Sequence, residues 1–386
     1  MTAPWPRDDA KLERVRALMA EQELDALVVR APDNVLYLTN FWGMKGYDAC
    51  VFPREGEPVL ICLEPSAEDA ARTAWTQDVR LVAGYDPGDP RPPGLRALAL
   101  AVEAARYGRV GLELSLGTQA TDRMVGEPTT FPKAWFDAFP DSADATPLLS
   151  EARMIKTSQE VERMRLANEI AAAAMEHVQG VLRPGMTEAQ AAAEWLGFVH
   201  GEGTGWNGQV ELALGFSLVW SGPGIKTFTA TTNGPVVENE PTLFEIWVCA
   251  DGYWADHTKN LCPGELTPRY RELLEQLTTV YDDAIEFAEP GASLAELDRR
   301  VRAGIGEAGY PGQPSHPVCH GVGARAHEPP YAHQAAGGEI RDGMVLAIEP
   351  GIYWPEGGGL RLEDNFLITA DGAEKLAPFP DGVVEV

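Results

Sequence analysis

The chain has 386 residues, which is enough for two domains with hydrophobic cores of their own. Its formal net charge of −27, with no basic tract to offset it locally, argues against a nucleic-acid-binding surface. The five cysteines show no CxxC spacing, so the sequence predicts neither a disulfide framework nor a thiolate zinc site, as is typical of a reducing cytoplasm.

The amino terminus predicts no secretory signal. The opening residues MTAPWPRDDAK contain no apolar segment after a basic one, and no apolar run of the chain is long enough to span a bilayer. We therefore expect a soluble, cytoplasmic protein that does not bind membranes.

The first part of the chain predicts a small α/β domain. Residues 9–22 have the apolar spacing of an amphipathic helix, and further helices are predicted at 66–74 and 92–106. The predicted strands are, in chain order, Ala26–Arg30, Asn34–Thr39, Ala49–Phe52, Pro58–Leu63, Val79–Val82 and Arg109–Glu113.

A domain boundary is predicted near residue 150. The stretch 114–150 is rich in Pro, Asp, Ser and Thr, which is typical of a connection between domains. We therefore expect an amino-terminal domain over 1–150 and a second domain over 151–386.

The second domain predicts an internal duplication. Four helix starts carry capping-box or proline signals, and each pair of helices precedes a β-rich stretch, at 209–262 and 315–370. The signals are, in chain order, Thr157 with Glu160, Thr187 with Gln190, Thr267 with Pro268, and Ser293 with Glu296. The repeated order of helix, helix and curved sheet is typical of a duplicated unit.

Each β-rich stretch contains an acidic hairpin. In Leu243–Leu261, a tight turn at Ala250–Asp251 predicts that Glu245 lies directly opposite Asp256. If the two halves pack about a pseudo-twofold axis, these carboxylates converge with those of the second hairpin.

The second acidic hairpin is Ala347–Asp364. Its turn-rich run Pro355–Gly359 predicts that Glu349 faces Glu363 across the ladder. Opposed residues lie about 5 Å apart at Cβ. Two carboxylates at that distance repel unless a cation lies between them, and the alternative is a solvated acidic edge.

A histidine cluster lies between the two hairpins. The segment PSHPVCHGVGARAHEPP contains His316, His320 and His327. Four carboxylates with an imidazole suit two divalent ions, and an oxygen-rich set favours Mn²⁺, with Zn²⁺ or Co²⁺ as alternatives.

These motifs resemble the creatinase and Xaa-Pro peptidase family of metallopeptidases, which includes Xaa-Pro dipeptidase, aminopeptidase P and creatinase-like proteins. HGVGARAHEPP, IEPGIY and GLRLED occur in the family's order and spacing. ARMIKTSQEVERMRLAN resembles the family's first catalytic-domain helix, and VRAPDNVLYLTNF the start of its amino-terminal domain. The resemblance implies an α+β fold, with a pita-bread catalytic domain after an amino-terminal α/β domain.

The resemblance also implies roles for individual residues. Asp256 and Glu363 match ligands that bridge two metal ions, while His320 and Glu349 match ligands of one ion. The remaining matches are Glu245 as a metal ligand, His327 as the histidine that contacts substrate or tetrahedral intermediate, His316 as a further active-site histidine, and Arg361 as an arginine near the substrate's carboxyl-terminal side.

The chain departs from the family pattern at three places. Glu245 stands where the family has aspartate, and Thr258–Asn260 reads TKN where TRT is usual. Phe228 and Thr229 occupy a region where the family has a histidine that helps to hold substrate. The last departure bears directly on Xaa-Pro specificity.

The resemblance therefore implies a dinuclear metallopeptidase that acts on short peptides at Xaa-Pro bonds, with Glu349 as general base. Candidate walls of the substrate pocket are Trp220, Tyr253, Tyr331 and Tyr353. Two alternatives stay open. One is the same scaffold with shifted chemistry, as a creatinase-like amidinohydrolase or a metal-dependent lyase, and the other is a non-catalytic binding module.

The loop 41–48, FWGMKGYD, follows a predicted strand of the first domain. Family members often dimerise so that such a loop covers the site of the same or the partner subunit. The resemblance thus implies a homodimer and a contact between Lys45 and a substrate carboxylate, and the alternative is a surface loop without a role in binding.

Overall fold

The computed structural model describes residues 3–43, 47–114, 132–227, 229–335 and 337–386. The chain divides into two compact units, Ala3–Arg153 and Met154–Val386. Within the described residues, every helix is too short or too polar to cross a membrane. Lys45 and Phe228 lie outside the described residues.

The first unit is built around a six-stranded sheet. Its elements are α1 (Asp9–Glu21), β1 (Ala26–Val29), α2 (Pro32–Thr39), β2 (Ala49–Pro53), β3 (Val59–Leu63), α3 (Ala67–Thr73), β4 (Asp78–Val82), α4 (Pro93–Ala104), β5 (Val110–Leu112), α5 (Pro132–Ala138), β6 (Ala143–Asp144) and α6 (Thr146–Met154).

The strands of this sheet lie in the order β4-β3-β2-β1-β5-β6, with β2 antiparallel to both of its neighbours and the other pairs parallel. Alternate residues of β1 contribute to two separate cores, Leu27 and Val29 to one and Ala26 and Val28 to the other. The central strand is therefore covered on both faces, which explains its unbroken apolar sequence.

One predicted strand of this unit is wrong, because Asn34–Thr39 is part of helix α2. Pro32 begins the helix at a position where its missing N–H is not needed, and Asn40 ends it in the left-handed conformation at φ 59°. All residues from 33 to 39 are buried, so the helix shows no polar face that would distinguish it from a buried strand. The other predicted elements are confirmed, with ends that differ by one or two residues.

The second unit repeats the order helix, helix, strands. Its elements are α7 (Ser158–Val181), α8 (Glu188–Phe198), β7 (Ala213–Ser221), β8 (Thr242–Ala250), β9 (Tyr253–Cys262), α9 (Pro268–Phe287), α10 (Leu294–Glu307), β10 (Cys319–Gly321), β11 (Glu328–Tyr331), β12 (Val345–Ile348), β13 (Gly351–Tyr353), β14 (Gly359–Arg361), β15 (Asp364–Thr369), β16 (Gly372–Lys375) and β17 (Val383–Glu385).

The strands of the second unit form three sheets. The first half supplies β7, β8 and β9, to which β17 adds in the order β17-β9-β8-β7. The second half supplies the five-stranded sheet β11-β10-β12-β15-β16 and the pair β13-β14. Helices α9 and α10 pack with β12, β14 and β15 in one continuous apolar core, which gives these strands a rigid support.

The predicted helix starts of this unit are confirmed. Both hydrogen bonds of the capping box are present at Thr157 and at Thr187. Ser293 accepts a hydrogen bond from the backbone of Glu296, and α9 begins at Pro268.

Candidate metal centre

The hairpin of β8 and β9 presents two acidic residues on one face. Asp251 and Gly252 form its two-residue turn with φ angles of 46° and 86°, the left-handed pair that a type I′ turn requires. This turn pairs Trp247 with Asp256 and Glu245 with Thr258.

The predicted direct opposition of Glu245 and Asp256 is therefore wrong, and the two residues are diagonal neighbours. A turn centred on Ala250 and Asp251 would force alanine into the left-handed region, whereas glycine adopts it without steric cost. The observed register differs by two residues from the predicted one. Because side chains alternate with a period of two, both carboxyl groups stay on the same face of the sheet.

The second acidic hairpin has the predicted register. Ile348 pairs with Asp364 in one sheet, and Gly351 pairs with Arg361 in the next, so Glu349 lies opposite Glu363 between these pairs. The two hairpins meet where Thr258 of β9 forms a backbone bridge to Glu363. The Thr258 hydroxyl also donates a hydrogen bond of 2.6 Å to Glu363 Oε2.

Three histidines surround these carboxylates. His320 of β10 places Nε2 at 3.6 Å from Asp256 Oδ2 and 3.4 Å from Glu349 Oε1. His327 Nε2 lies 3.3 Å from Asp256 Oδ2, and His316 Nδ1 lies 3.3 Å from Glu349 Oε2. The structure thus brings the three predicted imidazoles together with the carboxyl groups of Asp256 and Glu349.

Two sets of side chains place their ligand atoms within 4.8 Å of one another. One set is Asp256, His320 and His327, and the other is His320, Glu349 and Glu363. Of these residues only His327 is substantially open to solvent, with a side-chain exposure of 32%. The sets share His320, so they form one continuous centre.

The carboxyl groups of this centre are crowded and desolvated. Burial, together with the charge of Glu349, raises the pKa of Glu363 to about 8. Burial also raises the pKa of Glu349 to about 8, although Arg361 opposes the shift. The pKa of Asp256 is raised by burial and then by the neighbouring Glu363. Ionised carboxylates are therefore costly here unless a cation compensates them.

The histidines are held in their neutral form. Burial lowers the pKa of His320 to about 3 and the pKa values of His316 and His327 to about 4. Neutral imidazole is the form that binds a metal ion. Buried imidazole nitrogens and carboxylate oxygens in this proportion fit a divalent metal ion as the missing positive charge.

Glu245 lies outside both sets. Its Oε2 lies 2.9 Å from Nη2 of Arg361, whose side chain is also buried. Arg361 Nε donates a hydrogen bond of 2.6 Å to the Thr258 hydroxyl, and Nη1 donates one of 3.4 Å to the Tyr353 hydroxyl. The predicted ligand Glu245 is thus bound to an arginine in this structure.

The predicted pocket walls have different surroundings. Tyr253 is fully buried and donates a hydrogen bond of 2.9 Å to Glu160, and Trp220 is buried in a small apolar cluster that Tyr353 contacts. We therefore assign Tyr253 and Trp220 to the core. Tyr331 is 45% exposed and its ring centroid lies 6.4 Å from that of His320, at the rim of the centre.

Two residues of the centre were missed in the sequence. Trp247 lies directly opposite Asp256, and its ring centroid is 6.3 Å from that of His327. Asn365 forms hydrogen bonds with the backbone of Asp256. With the turn placed correctly, the alternation of side chains along β8 would have put Trp247 on the same face as Asp256. Nothing local in the sequence indicates that Asn365 contacts the backbone of Asp256, which is 109 residues away.

Comparison with known proteins identifies both parts of the chain. The sequence model of the Metallopeptidase family M24 matches residues 162–370, and that of the Creatinase/Prolidase N-terminal domain matches 11–166. The chain is similar to an Xaa-Pro dipeptidase of Lactobacillus delbrueckii subsp. lactis, with 28% identity over 377 residues, 94% of this chain and 95% of that protein.

Solved structures share the fold. An Xaa-Pro dipeptidase from Bacillus anthracis matches with a TM-score of 0.80 at 22% identity, over 98% of this chain and 99% of that one. The prolidase from Pyrococcus horikoshii OT3 matches with a TM-score of 0.76 at 22% identity, over 96% and 99% of the two chains.

These matches confirm the predicted family and the predicted fold, an amino-terminal α/β domain followed by a pita-bread domain. The M24 model alone spans more than half of the sequence, including every candidate ligand. The chain therefore belongs to metallopeptidase family M24.

Proposed function

We propose that the chain hydrolyses short peptides at Xaa-Pro bonds with the help of two divalent metal ions. The observation that carries the proposal is the buried centre in which two sets of imidazole and carboxylate ligand atoms share His320. The similarity to an Xaa-Pro dipeptidase supports the choice of substrate.

The residues that would hold the ions are Asp256, His320, Glu349 and Glu363. Glu245 joins this set only if it leaves Arg361. We propose Mn²⁺ because the set is rich in oxygen, with Zn²⁺ or Co²⁺ as the alternatives.

A bound divalent ion supplies the electrophilic polarisation that hydrolysis of a peptide bond needs. The protein's own side chains transfer the proton and stabilise the developing negative charge. We propose that Glu349 takes the proton of the attacking water as general base, because its carboxyl group lies inside the centre beside His316 and His320. His327 is the ring that a substrate can reach from solvent, and we propose that it donates a hydrogen bond to the developing oxyanion.

We propose that His316, Tyr353 and Arg361 line the part of the site that receives the substrate's carboxyl-terminal side. His316 Nε2 lies 3.1 Å from the hydroxyl of Tyr353, and this hydroxyl also contacts Arg361. Because the guanidinium is bound to Glu245 and Thr258, we propose that Arg361 acts on the substrate through Tyr353. The contact of Lys45 with a substrate carboxylate and the homodimer are proposed on the family resemblance alone. The cytoplasmic location is proposed on the cysteine pattern and on the opening residues of the sequence.

The proposal is tested with metal-stripped protein and a panel of dipeptides and tripeptides, with and without proline in the second position. We expect release of the first residue from Xaa-Pro substrates only after Mn²⁺, Zn²⁺ or Co²⁺ is restored. Cleavage at other bonds would keep the peptidase and remove the proline specificity. Absence of cleavage by metal-loaded protein would favour the lyase, the amidinohydrolase or the binding module.

Glu363→Ala tests the centre directly. We expect this variant to lose bound metal and activity together. Glu363 offers a ligand atom, and it forms the bridge to Thr258 at which the two acidic hairpins meet. Glu356→Ala is the matched control, since Glu356 lies on the exposed turn of the same hairpin and pairs with Arg269. Turnover retained in Glu363→Ala would contradict the proposed mechanism.

A further inference from the structure

The two acidic hairpins are joined mainly by side chains. Strands β9 and β15 belong to different sheets, and among the described residues the bridge between Thr258 and Glu363 is the one backbone pairing between them. The contacts that complete the joint are Asp256 with Asn365, Thr258 with Glu363, Asn260 with the carbonyl of Arg361, and both His257 and Lys259 with Asp364.

Asn365 contributes an unusual contact to this joint. Its Nδ2 donates a hydrogen bond of 2.8 Å to the carbonyl oxygen of Asp256, and the backbone N–H of Asp256 donates one of 2.9 Å to Asn365 Oδ1. One side-chain amide thus satisfies both backbone polar groups of a candidate metal ligand. Asn365 is fully buried, so water does not replace it.

Strand β8 pairs Trp247 with Asp256 three pairs away from the closing pair of the turn, Ala250 with Tyr253. Alternate pairs of an antiparallel ladder exchange no backbone hydrogen bonds, so the N–H and C=O of Asp256 face away from β8. On the far side of β9 from β8, strand β17 pairs with Asn260, Leu261 and Cys262. The backbone groups of Asp256 depend on Asn365, and a buried N–H and C=O without partners would each be costly. Loss of the amide would therefore shift the strand at Asp256.

The position of Asn365 also links two candidate ligands. Glu363 and Asn365 are two residues apart, and each contacts the residue of β9 that lies across from it. The Asn365 amide holds the backbone of Asp256 against the strand that begins directly after Glu363. It thereby sets the separation between the carboxyl groups of Asp256 and Glu363. Both must stay within reach of His320 for the centre to exist.

We propose that Asn365 is a positioning residue for the metal centre, acting through the backbone of Asp256. The inference rests on the proposed function in so far as that function requires a bound divalent ion. It predicts that Asn365 controls metal affinity without touching the metal, since groups that orient a ligand commonly change affinity by about 10- to 100-fold.

The test is a Mn²⁺ titration of metal-stripped full-length protein by isothermal calorimetry. For Asn365→Leu, which has a similar volume and lacks both hydrogen-bonding groups, we expect the Kd for Mn²⁺ to rise about 10- to 100-fold. Asn168→Leu is the matched control. Asn168 is also fully buried and donates to a backbone carbonyl, Met164 O at 2.7 Å within α7. We expect this control to lower Tm and leave the Kd unchanged.

Asn365→Asp keeps the test decisive if the leucine variant does not fold. It retains the acceptor for the Asp256 N–H and replaces the donor by an oxygen that repels the Asp256 carbonyl. We expect a weaker Kd for Mn²⁺ here too. A Kd that stays within about twofold of wild type in a folded Asn365 variant would overturn the inference.

The same titration separates this inference from the proposed function. Wild-type protein that binds Mn²⁺ tightly and cleaves no peptide would contradict the function, while a weakened Kd in Asn365→Leu would still support the positioning role. Peptide hydrolysis with an unchanged Kd in the variant would contradict the positioning role alone.

Discussion

Asp48 carries its carboxyl group inside the first unit, where only 5% of the residue is exposed. Burial raises its pKa to about 7, against the smaller effect of a backbone hydrogen bond from Leu63. In the unfolded chain the pKa of aspartate is about 3.9. Between these two values the folded state holds a proton that the unfolded state has lost. The contribution of Asp48 to the free energy of unfolding therefore falls as pH rises from about 4 to about 7 and is flat above.

Asp48→Asn tests this effect. We expect the stability of the wild-type protein relative to this variant to fall between pH 5 and pH 8, by on the order of a few kcal/mol, because the variant lacks the contribution of Asp48 and keeps those of the other titrating groups. Urea unfolding at both pH values measures it. Asp69→Asn, at an exposed site of α3, is the control that should keep the wild-type dependence. An unchanged pH dependence in Asp48→Asn would contradict the prediction.

Glu245 is a residue whose contacts could not be predicted from the sequence. The acidic hairpins and the resemblance of three motifs together predicted that Asp256, His320, Glu349 and Glu363 lie in one centre, and the structure places them there. They could not predict that Glu245 binds a guanidinium, because that contact depends on the direction of a side chain from another hairpin.

The strands β9 and β15 also share a buried ionic cluster on the faces opposite the metal centre. Asp364 Oδ1 lies 2.5 Å from Lys259 Nζ, and its Oδ2 lies 3.1 Å from Lys375 Nζ and accepts a hydrogen bond of 3.1 Å from Tyr281. Burial works in the opposite direction, yet Lys259, His257 and Lys375 hold the pKa of Asp364 well below its usual range. Asp364 is thus an anion whose stability depends on its partners.

Lys259→Met should therefore be costly. Removing one partner of a buried pair leaves a poorly compensated charge, and we expect the free energy of unfolding to fall by about 3 kcal/mol. Arg300→Met breaks the exposed pair with Asp283, where solvent screens the two charges, and should cost much less. Chemical denaturation of both variants gives the comparison, and equal losses would contradict the importance of the buried cluster.

Among the elements, predictions based on local chemistry were the most successful. The capping boxes at Thr157 and Thr187 fix their helix starts through contacts three residues apart, which the sequence displays directly. The error at α2 arose because a fully buried segment shows no polar face. The error in the β8–β9 register arose from a turn placed one residue too early, which moved every cross-strand pair.

For the whole molecule, the crowded carboxyl groups predict that metal stabilises the fold. We expect treatment with a chelator to lower Tm and Mn²⁺ to restore it, because an ion at a hundred times its Kd adds about 2.7 kcal/mol to stability. Thermal melts with and without Mn²⁺ measure this effect. Glu363→Ala should show no such recovery, and a wild-type Tm that does not respond to metal would contradict the prediction.

The architecture as a whole was predictable for two different reasons. The repeated order of elements was visible in the repeated helix signals, and the structure has the same order of helix, helix and strands in both halves. The pita-bread fold followed from the resemblance of three motifs, since the apolar pattern alone does not say how strands are shared between sheets. The addition of β17 beside β9 had no local signal, because it depends on a contact from the end of the chain.

The joint between the hairpins has a consequence for the order of folding. Thr258 and Glu363 are 105 residues apart in the sequence, so their contact closes a long loop and forms slowly compared with either hairpin. The first hairpin can form while its acidic residues still lack their partners. Acquisition of metal therefore reports that the two halves of the second unit have come together, and a chain in which only one hairpin has formed has no complete centre with which to bind ions.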